Sequence, residues 1–132
     1  MRVAIVGTSK LLTQQQNLSA RYCIEGIIRT FDINKTTIIS GGAYGIDTFA
    51  IIIAKEKGYA TEEIEPRFDG WKAYKERNIA IAHSCDILYC ITIPKQKLSC
   101  YHCKSDSHEK TAGCWTMNKA KARGKETKLI IL

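Results

Sequence analysis

Five short strand-like segments alternate along this chain with four longer segments whose apolar residues recur every three or four positions. Arg2 to Val6, Thr36 to Ser40 and Asp86 to Ile93 are almost continuously apolar, the pattern of strands buried on both faces. Tyr59 to Glu65 alternates only weakly and stops at Pro66, which predicts a thin edge strand, and Thr127 to Leu132 predicts a last strand. The first helix is predicted from an N-cap at Thr13 to about Thr30, with Leu18, Tyr22, Ile24, Ile27, Ile28 and Phe31 on its apolar face. The second runs from Gly45 to Lys57 and ends at Gly58; residues 50–54 are apolar all round, so it is expected to be well buried. The third spans Gly70 to His83 and the fourth Gly113 to Arg123, stopped by Gly124.

Strands alternating with helices predict an α/β protein. Right-handed crossovers then give a Rossmann-like three-layer αβα arrangement, with a five-stranded parallel sheet in the order 3-2-1-4-5. One segment breaks the alternation. Residues 95–112 are polar, Lys-rich and without periodicity, and they fall where a short strand-to-helix loop would suffice. The chain is expected to be a single domain over residues 1–132, with an insertion at 95–114.

That insertion carries Cys100, Cys103, His108 and Cys114 in the spacing C-x2-C-x4-H-x5-C. Two thiolates on one turn plus a later imidazole and thiolate make a tetrahedral donor set of the zinc type. Four protein ligands leave no open position for water, so one structural zinc per chain is expected, not a catalytic one. His102, squeezed between two cysteines, is the weaker histidine candidate, and a Cys100–Cys114 or Cys103–Cys114 disulfide is the metal-free alternative. The spacing also resembles the retroviral zinc knuckle, C-x2-C-x4-H-x4-C, with one residue more in the last gap. In that resemblance Tyr101 and Trp115 are the residues that would stack on single-stranded bases. Cys23, Cys85 and Cys90 lie in apolar stretches and read as core residues, and His83 as a helix-end residue.

Composition adds two constraints. No apolar run reaches the length of a membrane span and no leader pattern precedes the first strand, so a cytoplasmic, reducing setting without membrane association is expected. The net charge of +7 is concentrated late: residues 1–94 hold eleven Lys/Arg against ten Asp/Glu, residues 95–132 nine against three. Three thiolates on one zinc would remove about one of those positive charges, and the remainder still calls for an anionic partner.

In a parallel sheet of this kind, ligands bind at the carboxyl ends of the strands. Gly7-Thr8-Ser9, Gly41-Gly42-Ala43-Tyr44-Gly45 and Gly113-Cys114-Trp115-Thr116 all fall on that edge. Paired glycines allow close backbone approach, and a helix start offers N–H groups to an anion.

Val6-Gly7-Thr8-Ser9 followed by Ser40-Gly41-Gly42-Ala43-Tyr44-Gly45-Ile46-Asp47-Thr48 resembles the SLOG superfamily. That group includes the DprA DNA-processing proteins, the LOG cytokinin-activating hydrolases and several small Rossmann-like domains. Trp71-Lys72, Arg77-Asn78 and Gly113-Cys114-Trp115-Thr116 followed by Ala120 to Gly124 are similar to patterns of its small branch. The resemblance covers nearly everything outside residues 95–112. It implies a nucleotide or other phosphate-containing ligand, its phosphate held around Gly7, Thr8, Ser9, Gly41, Gly42, Ala43, Gly45, Gly113 and Thr116. Arg77 would be the cation and Asn78 a ribose or base contact. A DprA-like single-stranded nucleic-acid-binding role is the alternative, and self-association a further expectation. A phosphoribohydrolase cleaving nucleoside monophosphates is third: the hydrolase loop carries a catalytic Glu that Ala112 to Asn118 lacks, which leaves Asp47 as the one weak catalytic candidate.

Overall fold

The structure, a computed structural model, describes residues 1–11 and 13–132. Its main elements are β1 (Arg2–Gly7), α1 (Gln14–Arg29), β2 (Thr37–Ser40), α2 (Ile46–Glu56), β3 (Ala60–Glu63), α3 (Trp71–Ser84) and β4 (Ile87–Thr92). A two-stranded unit follows, β5 (Ser99–Cys100) and β6 (Ser105–Glu109), and then α4 (Ala112–Ala122) and β7 (Glu126–Ile131). The five long-range strands form one parallel sheet in the order β3-β2-β1-β4-β7, which is the order expected, with β7 as the fifth strand.

Alternation along the central strands sorts the core into two layers. Val3, Ile5, Ile38, Tyr89 and Ile91 pack with Ala20, Ile24, Ile27 and Ile28 of α1 and with Ile46, Ala50 and Ile53 of α2. Ala4, Val6, Ile39, Leu88 and Cys90 face the other way, onto Ile81 and Ala82 of α3 and Met117 and Ala120 of α4. The helices therefore cover both faces of the sheet, and the carboxyl ends of β1, β2 and β4 open at one edge.

Local chemistry explains the boundaries. Thr13 closes a capping box: its Oγ1 accepts from the Gln16 N–H at 3.0 Å, and Gln16 Oε1 accepts from the Thr13 N–H at 3.2 Å. Gly58, with φ of 84°, ends the second helix in the left-handed conformation. Cys85 and Cys90 are buried as expected, Cys23 is half-buried, and His83 is exposed in the last turn of α3.

Three expectations change. Leu18 and Tyr22 are not on the buried face of α1 but 52% and 82% exposed; the true face is Ala20, Ile24, Ile27 and Ile28, because the apolar residues of this helix cover more than one stripe. Ile52 is likewise exposed, so the second helix is buried on most but not all sides. The aperiodic segment between β4 and α4, for which no element was predicted, has secondary structure of its own. It contains the antiparallel β5–β6 pair, ordered by polar groups instead of an apolar stripe.

Two glycines fix how closely α4 approaches the sheet. A Cβ on Gly113 would lie 2.8 Å from Gly7 Cα, and a Cβ on Gly7 would overlap the Ile91 carbonyl. Gly7→Ala or Gly113→Ala is expected to cost at least about 2 kcal/mol by overpacking. Gly26→Ala, with open space around it on exposed α1, should stabilise by about 0.5–1 kcal/mol. Denaturant unfolding of the three variants checks both signs.

Candidate anion-binding cleft and metal centre

At the carboxyl edge of the sheet lies a cavity of about 150 Å³. Gly7, Thr8, Ser9, Ala43, Arg77, Asn78, Gly113 and Thr116 line it, so most of the residues singled out from the sequence converge there. Gly41 and Gly42 line a wider neighbouring groove with Tyr44 and Tyr74. Gly45 lines neither. With φ of 82° it lets the turn pack against Thr8 and Ser9, where Ile46 N–H donates to the Thr8 carbonyl at 3.2 Å.

The hydrogen bonds show how the turn is held. Asp47 Oδ2 accepts from Gly41 N–H at 3.2 Å, and Arg77 donates from Nη1 to the Gly41 carbonyl at 2.6 Å and from Nε to Asn78 Oδ1 at 2.7 Å. Both backbone groups of Gly41 are thus committed within the protein. So are the Thr8 N–H, donated to the Ile91 carbonyl, and the Gly113 N–H, donated to Thr111 Oγ1. The positive character of the cavity comes instead from side chains. Lys10, Arg77 and Lys110 line it against a single carboxylate, Asp47. Lys10 and Lys110 were not singled out as cleft cations, because they are 100 residues apart in sequence and only the topology brings them together.

Asp47 is buried. Desolvation pushes its carboxyl up from 3.8 to about 6, against the Arg77 charge, the Gly41 and Gly7 N–H groups and the Ser40 hydroxyl. Its oxygens serve the glycine turn, which is a positioning role.

The second cluster abuts the first. The donor atoms of Cys100, Cys103, His108 and Cys114 all lie within 4.8 Å of one another. A tetrahedral zinc with bonds of about 2.0–2.3 Å places its donors roughly 3.4–3.8 Å apart, inside that envelope, so the set fits the ion. Cys100, His108 and Cys114 are fully buried, and no disulfide joins the cysteines in this structure. The histidine is oriented for the task. Its Nε2 is 3.0 Å from Cys103 Sγ, while Nδ1 is 2.9 Å from the Glu109 carbonyl, the outer hydrogen bond typical of a ligating imidazole. His102 is absent from the donor set; its carbonyl accepts from Asn118 Nδ2 at 2.5 Å and ties the turn to α4. Burial opposes ionisation of Cys100, but N–H groups of Thr111, Cys103 and His102 directed at its sulfur bring its pKa down overall. Burial, and then the neighbouring Cys100, push that of Cys114 up.

Glu109 organises the rest of the segment. Its carboxylate accepts from the N–H groups of Gln96 at 2.7 Å, Lys97 at 3.0 Å and Leu98 at 3.2 Å, which holds its pKa below the usual range. Thr111 caps α4. Neither role was anticipated, although Thr directly before a helix start is a standard capping signal. The two aromatic residues singled out from the sequence differ in exposure. Trp115 is partly buried edge-on against Trp71, with ring centroids 5.5 Å apart, and Lys119 Nζ sits 5.1 Å from its ring. Tyr101 is 65% and Trp71 51% exposed.

Fold and cleft define the class: a Rossmann-like domain whose fold is similar to that of DNA processing protein A. Residues 1–65, which contain the first two glycine turns, match the family model of DNA recombination-mediator protein A. Among solved structures, DNA processing protein A from Streptococcus pneumoniae aligns with a TM-score of 0.66 at 20% identity, over 97% of this chain and 49% of that one. The protein TM1055 aligns with a TM-score of 0.66 at 17% identity, over 96% of this chain and 71% of that one. DNA processing protein A from Helicobacter pylori, whose structure describes a single-stranded DNA binding mode, gives a TM-score of 0.46 at 14% identity over 97% and 74%. This chain therefore spans about half the length of the pneumococcal protein. No curated protein sequence matches it. Among the described residues no helix is long and apolar enough to cross a membrane.

Because the folded state holds the Asp47 proton more tightly than the unfolded chain between pH 3.8 and about 6, this group's contribution to stability falls as pH rises through that window. The stability difference between wild type and Asp47→Asn should therefore move in favour of the variant by about 2–3 kcal/mol between pH 4 and 7. Urea unfolding at a series of pH values measures it, and a flat difference would mean that the carboxyl is not desolvated.

Proposed function

We propose that this chain binds a nucleotide or another phosphate-bearing ligand at the carboxyl edge of its sheet, and that the three-cysteine, one-histidine cluster holds one structural zinc. The observation that carries the reading is the convergence of Lys10, Arg77 and Lys110 with the first turn of α4 on one small cavity. The three cations supply Coulombic attraction for an anion, opposed by the single carboxylate of Asp47. The cavity suits a phosphate group, and the adjoining grooves leave room for the rest of the ligand.

Zinc would supply no chemistry to the ligand, since four protein donors complete its coordination. Its role is to hold Lys110 and Thr111 in place. Lys110 lies two residues beyond His108, and Cys114 is in the first turn of α4, so the ligands bracket the segment that faces the cavity. Few apolar side chains outside the cluster anchor residues 95–111, which makes metal binding the main source of their order.

A second reading is favoured by the match to DNA recombination-mediator protein A together with the basic surplus of residues 95–132: binding of a single strand along the same edge. Salt distinguishes the two, since several phosphate contacts make affinity fall steeply with ionic strength and one phosphate makes it fall shallowly. The commitment of Asp47 to the glycine turn gives no support to the hydrolase reading.

Titration calorimetry with nucleoside monophosphates tests the site. Lys10→Ala and Lys110→Ala should each weaken binding by about three- to tenfold, and unaltered affinity in both variants would refute the cleft. Native mass spectrometry should find one zinc per chain. Stripping it should raise amide exchange across 95–111 and weaken ligand binding while β1, β2 and β4 stay protected. Unchanged ligand affinity after stripping, with the core folded, would separate the metal from the site.

A further inference from the structure

A third cavity, of about 320 Å³, adjoins the anion cleft and shares Lys110 and Ala112 with it. Its other walls are Trp71, Tyr101 and His102. Trp71 opens α3 on the main domain, whereas Tyr101 and His102 sit on the turn between Cys100 and Cys103. Both rings are more than half exposed, unusual for side chains that lose much by facing water. Each is braced from behind. Trp71 meets Trp115 edge-on at 71°, and Tyr101 packs against the His102 ring at 4.4 Å and under Lys110 Nζ at 5.0 Å. Flat apolar faces held rigidly beside a cationic phosphate cavity suit a planar heteroaromatic ring with a phosphate attached to it.

We propose that the space between Trp71 and Tyr101 is a nucleobase slot, so that a nucleoside 5′-monophosphate lies with its phosphate in the cavity of Lys10, Arg77 and Lys110 and its base against these two rings. Lys110 belongs to both cavities and sets the register between them. Half of the slot is borne on the turn between two metal ligands, so base recognition depends on the metal more strongly than phosphate recognition does. This inference rests on the cleft being an anion site.

The test compares AMP, UMP and ribose 5-phosphate by calorimetry on the zinc-loaded protein, with tryptophan emission as a second readout. The nucleotides should bind about five- to one-hundredfold tighter than ribose 5-phosphate, and AMP should quench Trp emission. In Tyr101→Ala that preference should shrink severalfold, whereas Tyr101→Phe should keep it. Metal stripping should erode the preference in the same way as Tyr101→Ala. Equal affinity for AMP and ribose 5-phosphate in the wild type overturns the slot and leaves the anion site standing. A preference that survives Tyr101→Ala in full also overturns it. Failure of all three ligands overturns the anion site itself. Tight oligonucleotide binding with a steep salt dependence and no mononucleotide binding replaces the slot with a strand-binding surface.

Discussion

The contact of two backbones, at Gly7 and Gly113, sets the geometry of everything at the carboxyl edge. There is no room for a side chain at either position, because each lies against main-chain atoms of its neighbours. As a result α4 begins directly over the end of β1. That places Thr111, Gly113 and Thr116 beside Thr8 and Ser9, and it brings Cys114, the next residue along, onto the buried side of the helix. The basic cavity and the Cys/His cluster are two consequences of one close approach. Cys90 lies between them, its sulfur 3.2 Å from where a Gly113 Cβ would stand, and burial drives its thiol pKa far up, so it behaves as an apolar filler between two polar sites.

The glycine turn after β2 is held by a different logic. Asp47 and Arg77 reach it from two helices and take up opposite ends of the Gly41 peptide, one through its N–H and one through its carbonyl. Arg77 in turn is steadied by Asn78 and by the face of Tyr74, 5.6 Å away. The guanidinium therefore reaches the cavity already oriented.

The five strands, four helices and sheet order were legible because apolar periodicity, glycine stops and the Thr13 cap agreed with one another. The donor set was legible because its four ligands are close in sequence. What could not be read has a physical reason in each case. Ser105 to Glu109 contains no alternating apolar residues, so the β5–β6 pair left no pattern; the Glu109 carboxylate and the contact of His108 with Cys103 hold it. Leu18 and Tyr22 share the helical spacing of true core residues, and only the packing of α2 decides which stripe is covered. Lys10 and Lys110 are ordinary surface lysines until the chain folds.

The four residues of the Cys/His cluster fall within fifteen consecutive residues, a span that closes with little loss of chain entropy. The parallel sheet, by contrast, joins strands that are distant in sequence and is slow to assemble. Closure of this segment is thus a local event that does not wait for the sheet. A hairpin closed early and joined through Cys114 to the first turn of α4 lowers the entropy cost of the crossover that brings β7 to β4, so this short segment bears on the order of assembly as well as on the shape of the edge.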